Sequence, residues 1–149
     1  MRLETVVGAP PERVFAALVD IAGWPQRIAA IRRIEFLSDG PLAVGSRFRE
    51  TRMMFGREAV EEMTVAAIEA PSRLVLTACN HGTDYRMTHL VEPSVSGTRL
   101  TLVFEGVPRT LAARLLAPLG RIMIRSVRKH MEGDLADLKR HIEGGGEGG

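Results

Sequence analysis

The sequence is poor in cysteine, in aromatic residues and in long apolar runs. Cys79 is the only cysteine, which excludes an intrachain disulfide and any metal site that needs several thiolates. The four histidines lack ligand spacing such as His-x-x-x-His, so we predict no metal. The sequence also has no Walker-type or Rossmann glycine loop, and we predict no cofactor. No stretch approaches the ~20 apolar residues that span a bilayer, so we expect no stable membrane insertion.

Charge and composition narrow the class of protein further. Hydrophobic residues make up 45% and charged residues 26% of the chain, which is typical of a globular protein. Basic residues collect in the last third, but no aromatic residue lies among them, whereas a nucleic-acid surface is expected to combine both. We therefore predict a solvated helix face and no nucleic-acid partner. Glu4 interrupts the apolar start of the chain, so we expect no signal peptide and a cytoplasmic location.

The apolar periodicity changes twice along the chain. Residues 1–7 alternate as a first strand, and prolines open a helix that runs from Pro10 to Asp20. A second short helix or turn is predicted from Gln26 to Ala30. The period then becomes two, with turn residues between short runs. It predicts six further strands, at residues 31–36, 46–55, 57–69, 74–79, 85–91 and 98–105.

A helical period returns near the end of the sequence. Residues 109–142 are predicted to form one long helix, with a kink or restart caused by Pro118. The glycine-rich residues 144–149 are predicted to be a disordered tail. Short turns between consecutive strands favour antiparallel pairing. The chain is thus expected to be a single α+β domain over residues 1–143, with a curved sheet around the last helix.

Several short motifs carry a resemblance to a known superfamily. They are residues 7–15, residues 18–20 followed by Trp24–Pro25, and residues 45–48, 71–74, 91–93 and 97–101. In order and spacing they resemble the helix-grip (SRPBCC) superfamily, which includes START domains, Bet v 1 proteins and polyketide cyclase/dehydrase-like proteins. The resemblance implies a seven-stranded antiparallel sheet wrapped around a long C-terminal helix, with two short helices after the first strand. It also implies an apolar cavity that holds a lipid, a polyketide or a similar small hydrophobic molecule.

The strand at 85–91 carries the clearest candidate polar groups. Tyr85, Met87 and His89 share one face, which we expect to point inward. A buried phenol or imidazole without a partner costs roughly 1–3 kcal/mol. Its partner is either a ligand or a neighbouring side chain, and the sequence favours neither.

The strand at 46–55 places Phe48, Glu50 and Arg52 on one face, but its opposite face is no less apolar. Facing is therefore open, and an outer ion pair is the alternative for Arg52. On the last helix, His130 shares an apolar stripe with the pocket candidates Met123 and Val127. The alternative is that His130 is a packed or boundary residue. Trp24 is interpreted either as a residue at the pocket mouth or as a structural plug. The predicted ligand-binding residues are Trp24, Phe48, Glu50, Arg52, Tyr85, Met87, His89, Leu102, Phe104, Leu119, Met123, Val127 and His130.

Two function hypotheses follow. The first is binding of a small hydrophobic molecule between the sheet and the last helix. The second is a cyclase or dehydratase without metal or nucleotide cofactor, in which His89 or His130 acts as general base and Tyr85 or Arg52 stabilises an enolate oxygen. A protein-interaction domain on the same fold is a third alternative, and a homodimer stays open.

Overall fold

The computed structural model describes residues 1–80 and 82–145, except for the side chains of residues 120–122 and 145. The strands are β1 Arg2–Val7, β2 Ile31–Phe36, β3 Arg47–Met54, β4 Arg57–Glu69, β5 Arg73–Asn80, β6 Thr83–Ser94 and β7 Gly97–Pro108. The helices are α1 Pro11–Val19, α2 Trp24–Arg27 and α3 Leu111–Gly145, with a 3₁₀ turn at Ile21–Gly23.

The seven strands form one antiparallel sheet in the order β1-β7-β6-β5-β4-β3-β2. Strands β2 to β7 pair in chain order, and β1 joins the sheet beside β7. Register shifts in β2, between Ile31 and Arg33, and in β4, between Val65 and Ala67, bend the sheet, because a bulge adds local twist. The predicted fold is confirmed: a curved seven-stranded antiparallel sheet with a long C-terminal helix.

Several element bounds differ from the prediction. Helix α2 begins at Trp24, because Pro25 fits the first turn of a helix, and it ends before Ile28. Strand β7 continues beyond its alternating segment to Pro108, because β6 supplies pairing partners along its whole length. Helix α3 runs through Pro118 without a restart. It includes part of the predicted tail, and residues 146–149 lie outside the described residues.

The core lies between the concave face of the sheet, α1 and the second half of α3, which we define as residues 130–142. Helix α1 contributes Val14, Phe15 and Leu18, all buried. The second half of α3 contributes Leu135, Leu138 and Ile142, spaced as one helical stripe. Asp137 accepts a hydrogen bond from the Ala29 backbone N–H at 3.0 Å, and Ile142 accepts one from Arg13 at 2.6 Å.

The first half of α3, residues 111–124, behaves differently. Its apolar stripe was expected to cover the sheet, yet Leu115 is 72% exposed. Leu119 and Met123, both predicted to line a pocket, are exposed as well. Helical period reveals which residues share a stripe, but not whether another element lies opposite that stripe. The expectation that this stripe covers the sheet is therefore wrong. No helix in the described part of the chain is long and apolar enough to cross a membrane.

The β6–β7 turn locks the start of the chain to the sheet. Gly97 has a φ of +142°, and a Cβ there would collide with the carbonyl oxygen of Val7. The buried Thr98 hydroxyl donates a hydrogen bond to the Ala9 carbonyl at 2.7 Å. Together they fix the junction between β1 and α1 against the β6–β7 turn.

Candidate functional site

The concave wall of the sheet is built from alternate residues of β3 to β7. On β6, Tyr85, Met87 and His89 point to this wall, and register places His89 opposite Leu102 on β7. Met87 is nearly buried, whereas Tyr85 and His89 are half-buried. The inward face predicted for this strand is the one the structure gives.

His89 sits in this wall as a neutral imidazole. Its Nδ1 lies 3.3 Å from the carbonyl oxygen of Leu74 on β5. A carbonyl can only accept, so this contact needs the proton on Nδ1 and leaves Nε2 as an acceptor. Burial lowers the pKa of His89 to about 4, although the hydrogen bond to Leu74 opposes that shift. The side chain is therefore uncharged near neutral pH.

An aromatic pair forms the wall where the start of β6 lies beside the end of β7. The rings of Tyr85 and Phe104 are stacked with centroids 5.5 Å apart. Gly106 lies beneath Tyr85, and a Cβ at that glycine would come within 3.2 Å of the ring. Both rings are half-exposed, so this part of the concave face keeps apolar surface in contact with solvent.

A charged cluster lies on the β3 part of the wall. Arg52 donates from Nε to Glu50 at 2.5 Å, and from its second terminal nitrogen to Asp134 of α3 at 2.6 Å. Glu50 is 3% exposed, and the side chains of Arg52 and Asp134 are 13% and 19% exposed. The facing of β3, open in the sequence, is inward, and the outer ion pair for Arg52 is excluded.

Burial and charge pairing shift the pKa values of this cluster in opposite directions. Burial raises the pKa of both Glu50 and Asp134, while the nearby Arg52 acts in the other direction. Burial would lower the pKa of Arg52, but the two carboxylates raise it above its usual range. Two carboxylates around one guanidinium leave Arg52 with its charge fully engaged by protein groups.

Trp24 and Phe48 belong to the core. Trp24 donates from Nε1 to the Leu18 carbonyl at 3.1 Å and packs edge-on against Phe48, with centroids 6.0 Å apart. Trp24 is 6% exposed and Phe48 is fully buried. These contacts support the structural plug rather than a residue at a pocket mouth.

His130 and Val127 are half-buried on α3. His130 packs edge-on against Phe55, with ring centroids 5.5 Å apart. Phe55 and Gly56 form the turn between β3 and β4, and both have positive φ, of 54° and 74°. A bulky side chain rarely adopts this conformation, so the ring contact with α3 helps to hold the turn.

Asp134 is the site residue that the sequence did not indicate. It follows His130 by four residues, so it lies on the same helical stripe that was predicted to face the sheet. A carboxylate on an apolar stripe opposite a strand with Arg52 is the signal that could have found it.

A separate groove of about 540 Å³ lies between β1 and the second half of α3. Charged residues of both signs line it, among them Glu4, Arg128, Glu132 and Lys139. None of the predicted site residues borders this groove. Among the residues that the structure describes, no group of three or more histidine, cysteine or acidic side chains is placed to hold a metal ion.

Solved structures share this fold at low sequence identity. Ara h 8.0201 is 17% identical with a TM-score of 0.75, and the match covers 95% of each chain. The Zhui aromatase/cyclase from Streptomyces sp. R1128 is 15% identical with a TM-score of 0.70, over 95% of this chain and 94% of that one. The di-domain ARO/CYC StfQ from the steffimycin biosynthetic pathway is 14% identical with a TM-score of 0.77, over 96% of this chain and 50% of that one.

At these identities the likeness supports the fold alone. A search of curated proteins finds no match. The family model described as polyketide cyclase/dehydrase and lipid transport matches residues 1–143. The chain therefore belongs to the polyketide cyclase/dehydrase and lipid transport family.

Proposed function

We propose that the protein binds a small hydrophobic molecule against the concave wall, between the sheet and α3. The observation that carries this proposal is the half-exposed aromatic pair, Tyr85 and Phe104, on the face that also contributes Met87, Leu100 and Leu102 to the core. Concave apolar surface with a few polar groups is typical of small-molecule sites. The family description, which includes lipid transport, supports the same function.

The polar groups of the wall favour an uncharged ligand. Arg52 is engaged by Glu50 and Asp134, so it has little charge to offer an anion. Among the side chains that the structure describes, the Tyr85 hydroxyl has no hydrogen-bond partner, and His89 presents Nε2 as an acceptor. Carbonyl and hydroxyl groups on an otherwise apolar skeleton would match both, as in a polyketide or a lipid.

The binding proposal can be tested by placing a larger side chain on the concave wall. Ala78 pairs with Tyr85 across β5 and β6 and is 9% exposed, so Ala78→Phe places a ring where the ligand is expected. Titration calorimetry with a fused-ring aromatic polyketide and with a fatty acid should show binding to the unmodified protein. Affinity in Ala78→Phe should fall at least tenfold, because the site loses the volume that the ligand occupies.

Cys79 provides the matched control. It is the next residue of β5, is exposed and points to the opposite face, so Cys79→Phe adds the same ring outside the wall. Circular dichroism and the milder Ala78→Leu variant show whether a loss of affinity is only a loss of folding. Equal affinity in folded Ala78→Phe and Cys79→Phe would contradict binding at the wall.

A second candidate function is acid/base catalysis, favoured by the neutral His89, which presents Nε2 as an acceptor and shares the concave face of β6 with Tyr85. Nε2 would accept a proton next to a ketone, and the Tyr85 hydroxyl would donate to the enolate oxygen. Turnover of a β-keto substrate should then fall at least ~100-fold in His89→Gln and Tyr85→Phe. His130→Gln serves as the control, because His130 packs on Phe55 instead. Equal turnover rates in all three variants would contradict acid/base catalysis and leave ligand binding as the proposed function.

The state of His89 also predicts a pH dependence of stability. Its folded-state pKa of about 4 lies below the ordinary 6.5, so the unfolded chain binds the proton first. Stability should therefore fall as pH drops from about 6.5 towards 4. Urea unfolding of the protein and of His89→Gln isolates this effect, since Glu50 and Asp134 act equally in both. The difference should change by up to about 3 kcal/mol across that window. A constant difference would contradict a neutral His89.

A further inference from the structure

The first half of α3 presents an apolar stripe to solvent. Leu111, Leu115, Leu119 and Met123 follow one another at intervals of four residues, so they share one side of the helix. Their exposed fractions are 73%, 72%, 54% and 43%. An apolar patch of this kind on a folded protein marks a contact surface more often than a neutral feature.

The stripe lies within a longer segment in which positive charge is concentrated. Residues 106–131 contain six arginine and lysine residues and no acidic residue. The remaining residues contain 14 basic and 18 acidic side chains, a net charge of −4. The positive charge of the protein therefore resides in this one segment of α3 and the residues that lead into it.

The basic side chains lie beside the stripe rather than within it. Arg114 follows Leu111 by three residues and Arg125 follows Arg114 by eleven, about three helical turns, so both border one edge of the stripe. Arg114, Arg125 and Lys129 are exposed and form no ion pair among the described residues. Arg109 is paired with Asp84, so it is already neutralised.

We propose that α3 docks on an anionic lipid surface through its first half and the adjoining residues 125–129. The stripe would lie at the boundary between headgroups and acyl chains, and Arg114, Arg125 and Lys129 would meet lipid phosphates. A second copy fits less well, because a two-fold contact would bring the same positive charges together. Closure of the first half of α3 onto the sheet would bury the leucines, but it would bring no anions to the arginines that border the stripe.

The docked segment would lie near Tyr85, at one end of the concave wall. The backbone N–H groups of Arg109 and Thr110 both donate to the Gly82 carbonyl, at 2.7 and 3.3 Å. Arg109 also pairs with Asp84, the neighbour of Tyr85. An apolar ligand could therefore pass between the bilayer and the wall, but docking itself does not depend on ligand binding.

Vesicle sedimentation with the full chain tests the proposal. Vesicles of phosphatidylcholine with about 30% phosphatidylserine should sediment the protein at low salt, and pure phosphatidylcholine should not. Arg114→Gln combined with Arg125→Gln should weaken binding about 25-fold, from about fivefold for each basic residue near the surface. Leu115→Ser combined with Leu119→Ser should weaken it at least tenfold, by removing apolar burial.

Matched controls separate lipid docking from other causes. Arg99→Gln combined with Arg140→Gln removes two exposed arginines outside the segment and should leave sedimentation unchanged. Ala78→Phe should also still sediment, so failure of the ligand proposal would not imitate failure of this one. Equal binding to both vesicle types, no binding, or self-association that is lost in the leucine variant would overturn the proposal.

Discussion

The two halves of α3 share a helical period but have opposite surroundings. In the second half, Leu135, Leu138 and Ile142 are buried, and the helix is tied to the sheet through Asp134. In the first half, a stripe of the same kind faces solvent and no acidic residue is present. The position of charged residues, more than the apolar period, therefore marks where a helix has a protein partner.

The largest effect is expected from removing the ion pair between α3 and β3. Arg52→Ala leaves Glu50 and Asp134 as buried carboxylates without a counter-charge. We expect a loss of about 3–5 kcal/mol in the free energy of unfolding, since an uncompensated buried charge is strongly unfavourable. Urea unfolding followed by circular dichroism measures it.

Arg47 gives the control on the same strand. Its pair with Glu62 is exposed on both sides, so Arg47→Ala should cost about 1 kcal/mol or less. Equal losses in the two variants would mean that Arg52 contributes no more than a surface pair.

A smaller change in stability is expected from truncating one leucine in each stripe of α3. Leu138 is 3% exposed, so Leu138→Ala should cost about 2–5 kcal/mol through lost burial and a cavity. Leu115→Ala should change stability by no more than about 0.5 kcal/mol, because the side chain is already in water. Chemical unfolding of both variants side by side measures the contrast. A large cost for Leu115→Ala would show that the first half is covered in solution.

The smallest effect concerns helix propensity in each half. Gly133 has open space around it, so Gly133→Ala should stabilise the protein by about 0.5–1 kcal/mol. The reverse change in the first half, Ala112→Gly, should alter global unfolding by less than half that amount, because a segment without packed partners opens locally first. Hydrogen exchange and urea unfolding together measure both. Equal and opposite changes would show that α3 unfolds as one unit.

Much of the fold could be predicted from the sequence because its signals are local. Turn residues separated the strands, and the alternation of Tyr85, Met87 and His89 gave the facing of β6. Strand β3 could not be oriented this way, since both of its faces carry apolar and charged residues. Its facing depends on Asp134, which is 82 residues from Arg52 in the chain.

Dependence on residues far apart in the chain also explains why the surroundings of the first half of α3 could not be predicted. Leu119 and Met123 were predicted to line a pocket because they share a period with buried residues of α3. Whether a sheet lies opposite depends on the length and curvature of distant strands, which local patterns do not contain. The ligand-binding roles of Tyr85 and His89 stay predictions that the experiments above address.

The pairing of β1 with β7 has a consequence for how the chain reaches its fold. Strands β2 to β7 each pair with the strand made just before or after them, whereas Leu3 pairs with Leu102. Contacts between residues so far apart in the chain form slowly, because a long loop must close first. During synthesis, β1 and the α1 junction must wait for β7 and the Gly97 turn to leave the ribosome. We expect the sheet edge at β7 to be exposed until that late step, when the first strand made becomes the last to pair.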